Sequence, residues 1–71
     1  MTLAFALRKL SGFGQVSRLE DRAWHLAVNG VRIVIMDNAG SADIRVSTGE
    51  HTIRCVSVAQ TIRMAGLERR P

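Results

Sequence analysis

Arginine side chains on three predicted strands are the residues of this sequence best suited to contact a charged ligand. Arg32, Arg45 and Arg54 each stand next to an isoleucine in a segment that alternates between apolar and polar residues. Successive residues of a strand point to opposite faces, so all three guanidinium groups are expected on the face away from the core. Each guanidinium offers a planar fork of donors to phosphate oxygens. The pattern predicts a phosphate-binding stripe, although charged residues on a solvated face also protect strands from unwanted pairing.

Other reactive side chains are not arranged for catalysis or for metal binding. His25 and His51 are isolated on separate predicted strands, and the sequence contains no HExxH, CxxC or GxSxG pattern. Cys55 lies in an apolar segment, where a cysteine behaves as a small buried hydrophobic residue. The glycines of Gly12–Gly14 lack the spacing and the lysine of a phosphate loop, so they are interpreted as a joint. We therefore expect no enzyme activity, catalytic residue, metal, cofactor or small-molecule substrate.

Charge and composition are typical of a binding protein. Ten Lys and Arg residues against six Asp and Glu residues give a formal net charge of +4, and a positive domain is attracted to phosphates. A hydrophobic fraction of 46% favours a folded chain. No apolar run approaches the roughly 18 residues that a membrane span needs. These features predict a cytoplasmic protein that does not enter a membrane.

The length of the chain predicts one small domain, residues 1–71, and a need for additional stabilisation. A domain of this size buries only about 60% of the surface that its unfolded chain exposes. The single cysteine excludes an internal disulfide bond. Self-association is another common remedy for a small core, so we expect a homo-oligomer or a complex with a partner protein.

The segment Trp24 to Met36 predicts a β-hairpin around Asn29-Gly30, a pair that favours a two-residue type I′ turn. This turn fixes which residues are opposite each other and which face they share. The core face then carries Trp24, Leu26, Val28, Val31, Ile33 and Ile35, and the reverse face carries Ala23, His25, Ala27, Arg32, Val34 and Met36. Because the reverse face is too apolar to be wholly exposed to water, we predict that a helix, another sheet or a partner covers part of it, and that a partner would contact Ala27, Val34 and Met36.

A second hairpin is expected from Asp43 to Cys55, with its turn centred on Thr48-Gly49. This turn would place Asp43 opposite Arg54 as a cross-strand charge pair. The same register would place Val46 opposite His51 and Ile44 opposite Ile53, with both isoleucines in the core.

The ends of the chain are less regular. A helix is predicted over Leu3–Leu10, because basic residues lie in its last turn and Gly12 follows it. A weaker strand is expected around Gln15 to Leu19. Residues Val58, Ile62 and Ala65 have helical spacing, although a closing strand is an alternative there. The expected fold is α+β and mostly β: a short N-terminal helix, an antiparallel β-meander of about four or five strands in a small barrel or open sheet, and a possible short C-terminal helix.

Two functions follow as hypotheses. In the first, the chain is a small nucleic-acid-associated regulatory protein that acts as an oligomer through phosphate contacts of the arginine stripe. In the alternative, it is a protein-protein interaction module or inhibitor that binds a partner protein through its sheet face. A further basic cluster of Arg63, Arg69 and Arg70 could extend the positive surface in the first case.

Overall fold

The computed structural model describes residues 1–67, which form five strands and two short helices. The predicted N-terminal helix has the bounds expected from the sequence, and the C-terminal segment is helical rather than extended. The elements are α1 (Leu3–Leu10), β1 (Ser17–Glu20), β2 (Ala23–Val28), β3 (Val31–Asn38), β4 (Ser41–Thr48), β5 (His51–Cys55) and α2 (Val58–Met64).

The five strands form one antiparallel sheet in which each strand pairs with its neighbour along the chain, in the order β1-β2-β3-β4-β5. Strands β1 and β5 are therefore the two edges of an open sheet. The predicted α+β, mostly β meander is confirmed, and of its two alternatives the open sheet is the one formed.

The β2–β3 hairpin has the predicted register, with Leu26 opposite Ile33 and Trp24 opposite Ile35. Asn29 and Gly30 have φ values of 54° and 74°, as a type I′ turn requires at both central positions. Asparagine and glycine are the residues that adopt this left-handed conformation at least cost. The turn residues thus set the register on which both faces of the sheet depend.

The β4–β5 register differs from the prediction by two residues. Gly49 has a φ of 59° and occupies the first loop position, so the loop is Gly49-Glu50 rather than Thr48-Gly49. As a result, Arg54 is opposite Arg45, whereas it was predicted to be opposite Asp43. Side chains alternate with a period of two, so each residue keeps its predicted face despite the shift.

Both helices pack on the core face of the sheet. Thr2 Oγ1 accepts a hydrogen bond from the amide of Phe5 and begins α1, and Ser57 Oγ accepts one from the amide of Gln60 and begins α2. Neither helix of the described chain is long and apolar enough to cross a membrane. The core consists of Ala6, Leu10, Leu26, Ile33, Ile35, Ile44, Val46, Cys55, Val58, Ala65 and Leu67.

Two expectations about the core need correction. Ile53 is 39% exposed, because it lies on an edge strand that the helices do not fully cover. Trp24 packs against the core but remains partly exposed, as do Val28 and Val31. Cys55 is buried, as expected.

The predicted joint at Gly12–Gly14 contains a position where a side chain would not fit. A Cβ atom on Gly14 would lie 2.8 Å from Leu26 Cδ1, inside van der Waals contact. Leu26 is fully buried, so it has little room to move away. Gly14 therefore allows the chain to pass close to the core before β1 begins.

Candidate nucleic-acid interface

The three predicted arginines lie together on the face of the sheet opposite the helices. Arg45 and Arg54 are direct cross-strand neighbours on β4 and β5. Arg32 on β3 is one diagonal step from Arg45, because Arg45 is opposite Val34. All three side chains are exposed, and no element of the described chain covers them. The arginines thus form a continuous group across three adjacent strands, which we call the arginine stripe.

Asp43 connects two members of the arginine stripe. Its Oδ1 atom accepts a hydrogen bond from Arg54 Nε at 3.2 Å, and its Oδ2 atom lies 3.9 Å from Arg45 Nη2. The Asp43 side chain is 18% exposed, whereas those of Arg45 and Arg54 are 51% and 68% exposed. The carboxylate therefore orients the Arg54 guanidinium through a hydrogen bond, attracts the Arg45 guanidinium without one, and leaves most donors of both open to solvent.

The local charge of the arginine stripe remains positive despite this carboxylate. On the outer face of β3, β4 and β5, the charged residues are the three arginines and Asp43, so the formal net charge of this surface is +2. The next acidic residue on this face is Glu20, at the far edge of the sheet opposite Ala23. An anion approaching β4 and β5 therefore meets a net positive surface.

Two hydroxyl groups belong to the same surface and were not singled out from the sequence. Ser47 is opposite Arg32 on one side and Thr52 on the other. The hydroxyl oxygens of Ser47 and Thr52 are 3.1 Å apart. Serine and threonine hydroxyls commonly donate to phosphate oxygens. Their positions in the sequence could have identified them. Ser47 is two residues from Arg45 and Thr52 is two residues from Arg54, so each hydroxyl is expected on the same face of its strand as the arginine.

The residues predicted as a partner interface lie on the same face, toward β2 and β3. Ala27 is exposed, Val34 is half-buried and Met36 is 38% exposed. His25 is opposite Val34, and its buried Nδ1 atom has no hydrogen-bond partner among residues 1–67. Ala23, predicted on this face, is buried. The apolar part of the face is thus a small strip beside the arginine stripe.

The two edges of the sheet differ in how well they are protected. Strand β1 is short and has an irregular register between Arg18 and Glu20, and the Arg18 guanidinium donates to the carbonyls of Glu20 and Asp21. Strand β5 pairs with β4 over all five of its residues without a bulge. No other part of the described chain pairs with its outer edge, so β5 is the edge open to another strand.

A second surface feature lies on the opposite side of the molecule, between the two helices. It is an open groove of about 430 Å³, which we call the helix groove. Its polar members are Lys9 and Ser57. Its apolar lining consists of Met1, Phe5, Val58, Ala59 and Ile62.

The charges of the helical layer all have the same sign. Lys9 Nζ lies 5.8 Å from the centroid of the Phe5 ring, within cation–π range. Arg8 and Arg63 are exposed in the last turns of α1 and α2, and neither helix contains an acidic residue. Of the predicted basic cluster, Arg63 lies here, while Arg69 and Arg70 fall outside the described residues.

Residues 1–67 contain no group of three or more His, Cys, Asp or Glu side chains placed to hold a metal ion. No protein-family model matches the chain, and no curated protein or solved structure is significantly similar to it.

Proposed function

We propose that this chain is a small, non-enzymatic regulatory protein that binds nucleic acid through phosphate contacts of the arginine stripe. The observation that carries the proposal is the alignment of Arg32, Arg45 and Arg54 on one exposed face with a single carboxylate among them. Each guanidinium offers a planar fork of donors to phosphate oxygens. Asp43 makes the close pair of Arg45 and Arg54 compatible with the fold and leaves the surface net positive.

Binding of this kind would depend little on base sequence. Phosphate contacts position a protein on nucleic acid, whereas contacts to base edges provide sequence readout. The aromatic residue of the sheet, Trp24, packs against the core on the other face. In the described chain, the arginine stripe therefore has no aromatic side chain on which a base could stack.

In this proposal, the protein acts as an oligomer in which the sheet of one copy continues into the next through strand β5. Antiparallel pairing of β5 with a second copy, centred on Ile53, would use all five residues of the strand. Ile53 is 39% exposed in the single chain, and this pairing would bury part of it against Ile53 of the second copy. Arg54 would face Thr52 of the other copy rather than another arginine. The two arginine stripes would then form one continuous surface.

We also propose that the protein is located in the cytoplasm.

The direct test is nucleic-acid binding by two triple variants with the same loss of charge. The first carries Arg32→Gln, Arg45→Gln and Arg54→Gln. The control carries glutamine at three exposed arginines outside the stripe: Arg8, Arg22 and Arg63. Fluorescence anisotropy with a mixed-sequence oligonucleotide pool should show binding lost in the first variant and largely kept in the second. Equal losses would mean that net charge, and not this face, causes binding.

The alternative candidate is a module that binds a partner protein through the same face. Its support is the exposure of Met36, at 38%, beside Val34 and Ala27 on a face that no described element covers. Substitution of Met36 by Lys should then abolish partner capture and leave oligonucleotide binding intact. Partner capture that Met36→Lys leaves unchanged, together with oligonucleotide binding that the stripe triple variant loses, favours the nucleic-acid proposal.

A further inference from the structure

We propose that the helix groove binds an acidic amphipathic helix of a partner protein. This interaction is separate from the arginine stripe, because the groove lies on the other side of the sheet. It would make the protein an adaptor that contacts phosphates with one face and a protein with the other.

The shape and lining of the groove fit the apolar face of a helix. Phe5 is 41% exposed and Met1 is 39% exposed, and Val58, Ala59 and Ile62 form the opposite wall. A groove between two helices accepts side chains that repeat every three to four residues along a third helix. The groove is open to solvent, so it suits a segment lying across it better than an enclosed small molecule.

The surrounding charge identifies the kind of helix. Lys9 lines the groove itself, and Arg8 is three residues from Phe5, on the same side of α1. Arg63 is four residues from Ala59, on the corresponding side of α2. Because α1 and α2 contain no carboxylate, an approaching acidic segment meets attraction on both walls. A partner with Glu or Asp flanking an apolar stripe is complementary to this surface.

The same charges argue against two other occupants. A second copy of this chain would bring its own Arg8, Lys9 and Arg63 against these, which is repulsive. An anionic membrane would satisfy the charges, but insertion into lipid requires a projecting apolar surface, and the apolar residues here line a concave groove. The observations therefore favour an acidic helix.

Two exposed alanines allow a matched test. Ala59 lines the groove and Ala4 does not, and each is the second residue of its helix. Glutamate is well tolerated at that position because it interacts favourably with the helix dipole. Ala59→Glu would obstruct the groove and place a negative charge in it, while Ala4→Glu makes the same chemical change elsewhere. Lys9→Glu provides a second groove variant.

The probe is a labelled, end-blocked 18-residue peptide with leucines in an i, i+3, i+4, i+7 pattern and flanking glutamates. A second peptide has the same leucines and carries lysines in place of the glutamates. Fluorescence anisotropy on the full chain should show at least tenfold tighter binding of the acidic peptide. Ala59→Glu and Lys9→Glu should each weaken it at least tenfold, and Ala4→Glu should leave it unchanged. Circular dichroism confirms that the variants are folded.

Several outcomes would overturn the proposal. These are no binding of the acidic peptide, equal binding of both peptides, and equal effects of Ala4→Glu and Ala59→Glu. Sedimentation with vesicles of phosphatidylcholine and phosphatidylserine tests the membrane alternative, and vesicle binding that Ala59→Glu abolishes would favour lipid. The stripe variant Arg32→Gln/Arg45→Gln/Arg54→Gln should bind the acidic peptide normally, so failure of this proposal is distinguishable from failure of the proposed function.

Discussion

Asp43 and Arg54 form an ion pair, with a distance of 3.2 Å between Oδ1 and Nε, although they are not opposite each other in the sheet. The residue opposite Arg54 is Arg45. Like charges directly across two strands are unfavourable, and the carboxylate lies diagonally where it can reach both arginines. Asp43 thus makes a close pair of cations compatible with the fold.

Replacing Asp43 by Asn should lower stability and strengthen anion binding at the same time. The change leaves Arg45 and Arg54 uncompensated, and cross-strand charge pairs are worth up to about 1 kcal/mol. Urea denaturation should therefore show a loss of about 1 kcal/mol. Oligonucleotide affinity should rise about fivefold, as expected for unit charges 4 Å apart in water. Glu50→Gln is the matched control, because it removes an equal charge from the exposed β4–β5 turn. It should change stability little, and a decrease in affinity for D43N would contradict the role given to Asp43.

Oligomerisation through β5 predicts different effects of lysine at the two edges of the sheet. Ile53 on β5 and Leu19 on β1 are 39% and 45% exposed. A charged residue on an edge strand opposes pairing with another strand. Ile53→Lys should raise the dissociation constant of the oligomer at least tenfold in light-scattering measurements, and Leu19→Lys should have little effect. A wild-type protein that stays monomeric at all concentrations would rule out this part of the account.

The β3–β4 turn contains a residue that is poorly matched to its conformation. Ala39 has a φ of 54° in a two-residue loop with Gly40, a position that Asn or Gly adopts more readily. Ala39→Asn should raise the free energy of unfolding by about 1 kcal/mol. The reciprocal change, Asn29→Ala in the β2–β3 turn, should lower it by a similar amount. Urea denaturation of both variants measures the two changes in the free energy of unfolding. Changes in the same direction would be inconsistent with the turn geometry.

Gly14 should not tolerate even a methyl group. Its Cβ would lie 2.8 Å from Leu26 Cδ1 in the core, and added atoms in a packed core cost about 1–3 kcal/mol. Gly14→Ala should therefore destabilise the protein by an amount in that range in urea denaturation. A Cβ on Gly12 would be 3.4 Å from its nearest neighbour, Lys9 O. Gly12→Ala should accordingly be close to neutral, and similar losses at both positions would show that the contact with Leu26 is not the cause.

Local turn chemistry explains why much of the fold could be predicted. Asn29-Gly30 determines the register of β2 and β3, and alternation then assigns Arg32 to the outer face. Arg45 and Arg54 were assigned to the correct face although their hairpin register was wrong, because a shift of two residues preserves the face. The loop position of Gly49 was ambiguous from the sequence, since a glycine with positive φ can occupy either central residue of a turn.

Features that depend on three-dimensional packing could not be predicted in the same way. Ile53 has the alternation of a core residue, and its exposure follows from the position of β5 at the edge of the sheet. Phe5 lies outside the face of α1 that carries Leu3, Leu7 and Leu10, and the groove that it lines exists only because α2 packs beside α1. Neither relationship is encoded in spacing along one segment.

The salt dependence of oligonucleotide binding tests the central claim most directly. Each phosphate contact contributes about −0.9 to the slope of log K against log salt on duplex DNA, so each stripe arginine accounts for about one unit. Single substitutions Arg32→Gln, Arg45→Gln and Arg54→Gln should each make the slope about one unit less steep, while Arg22→Gln should not change it. Slopes that are unchanged in all three stripe variants would contradict the assignment of phosphate binding to this face.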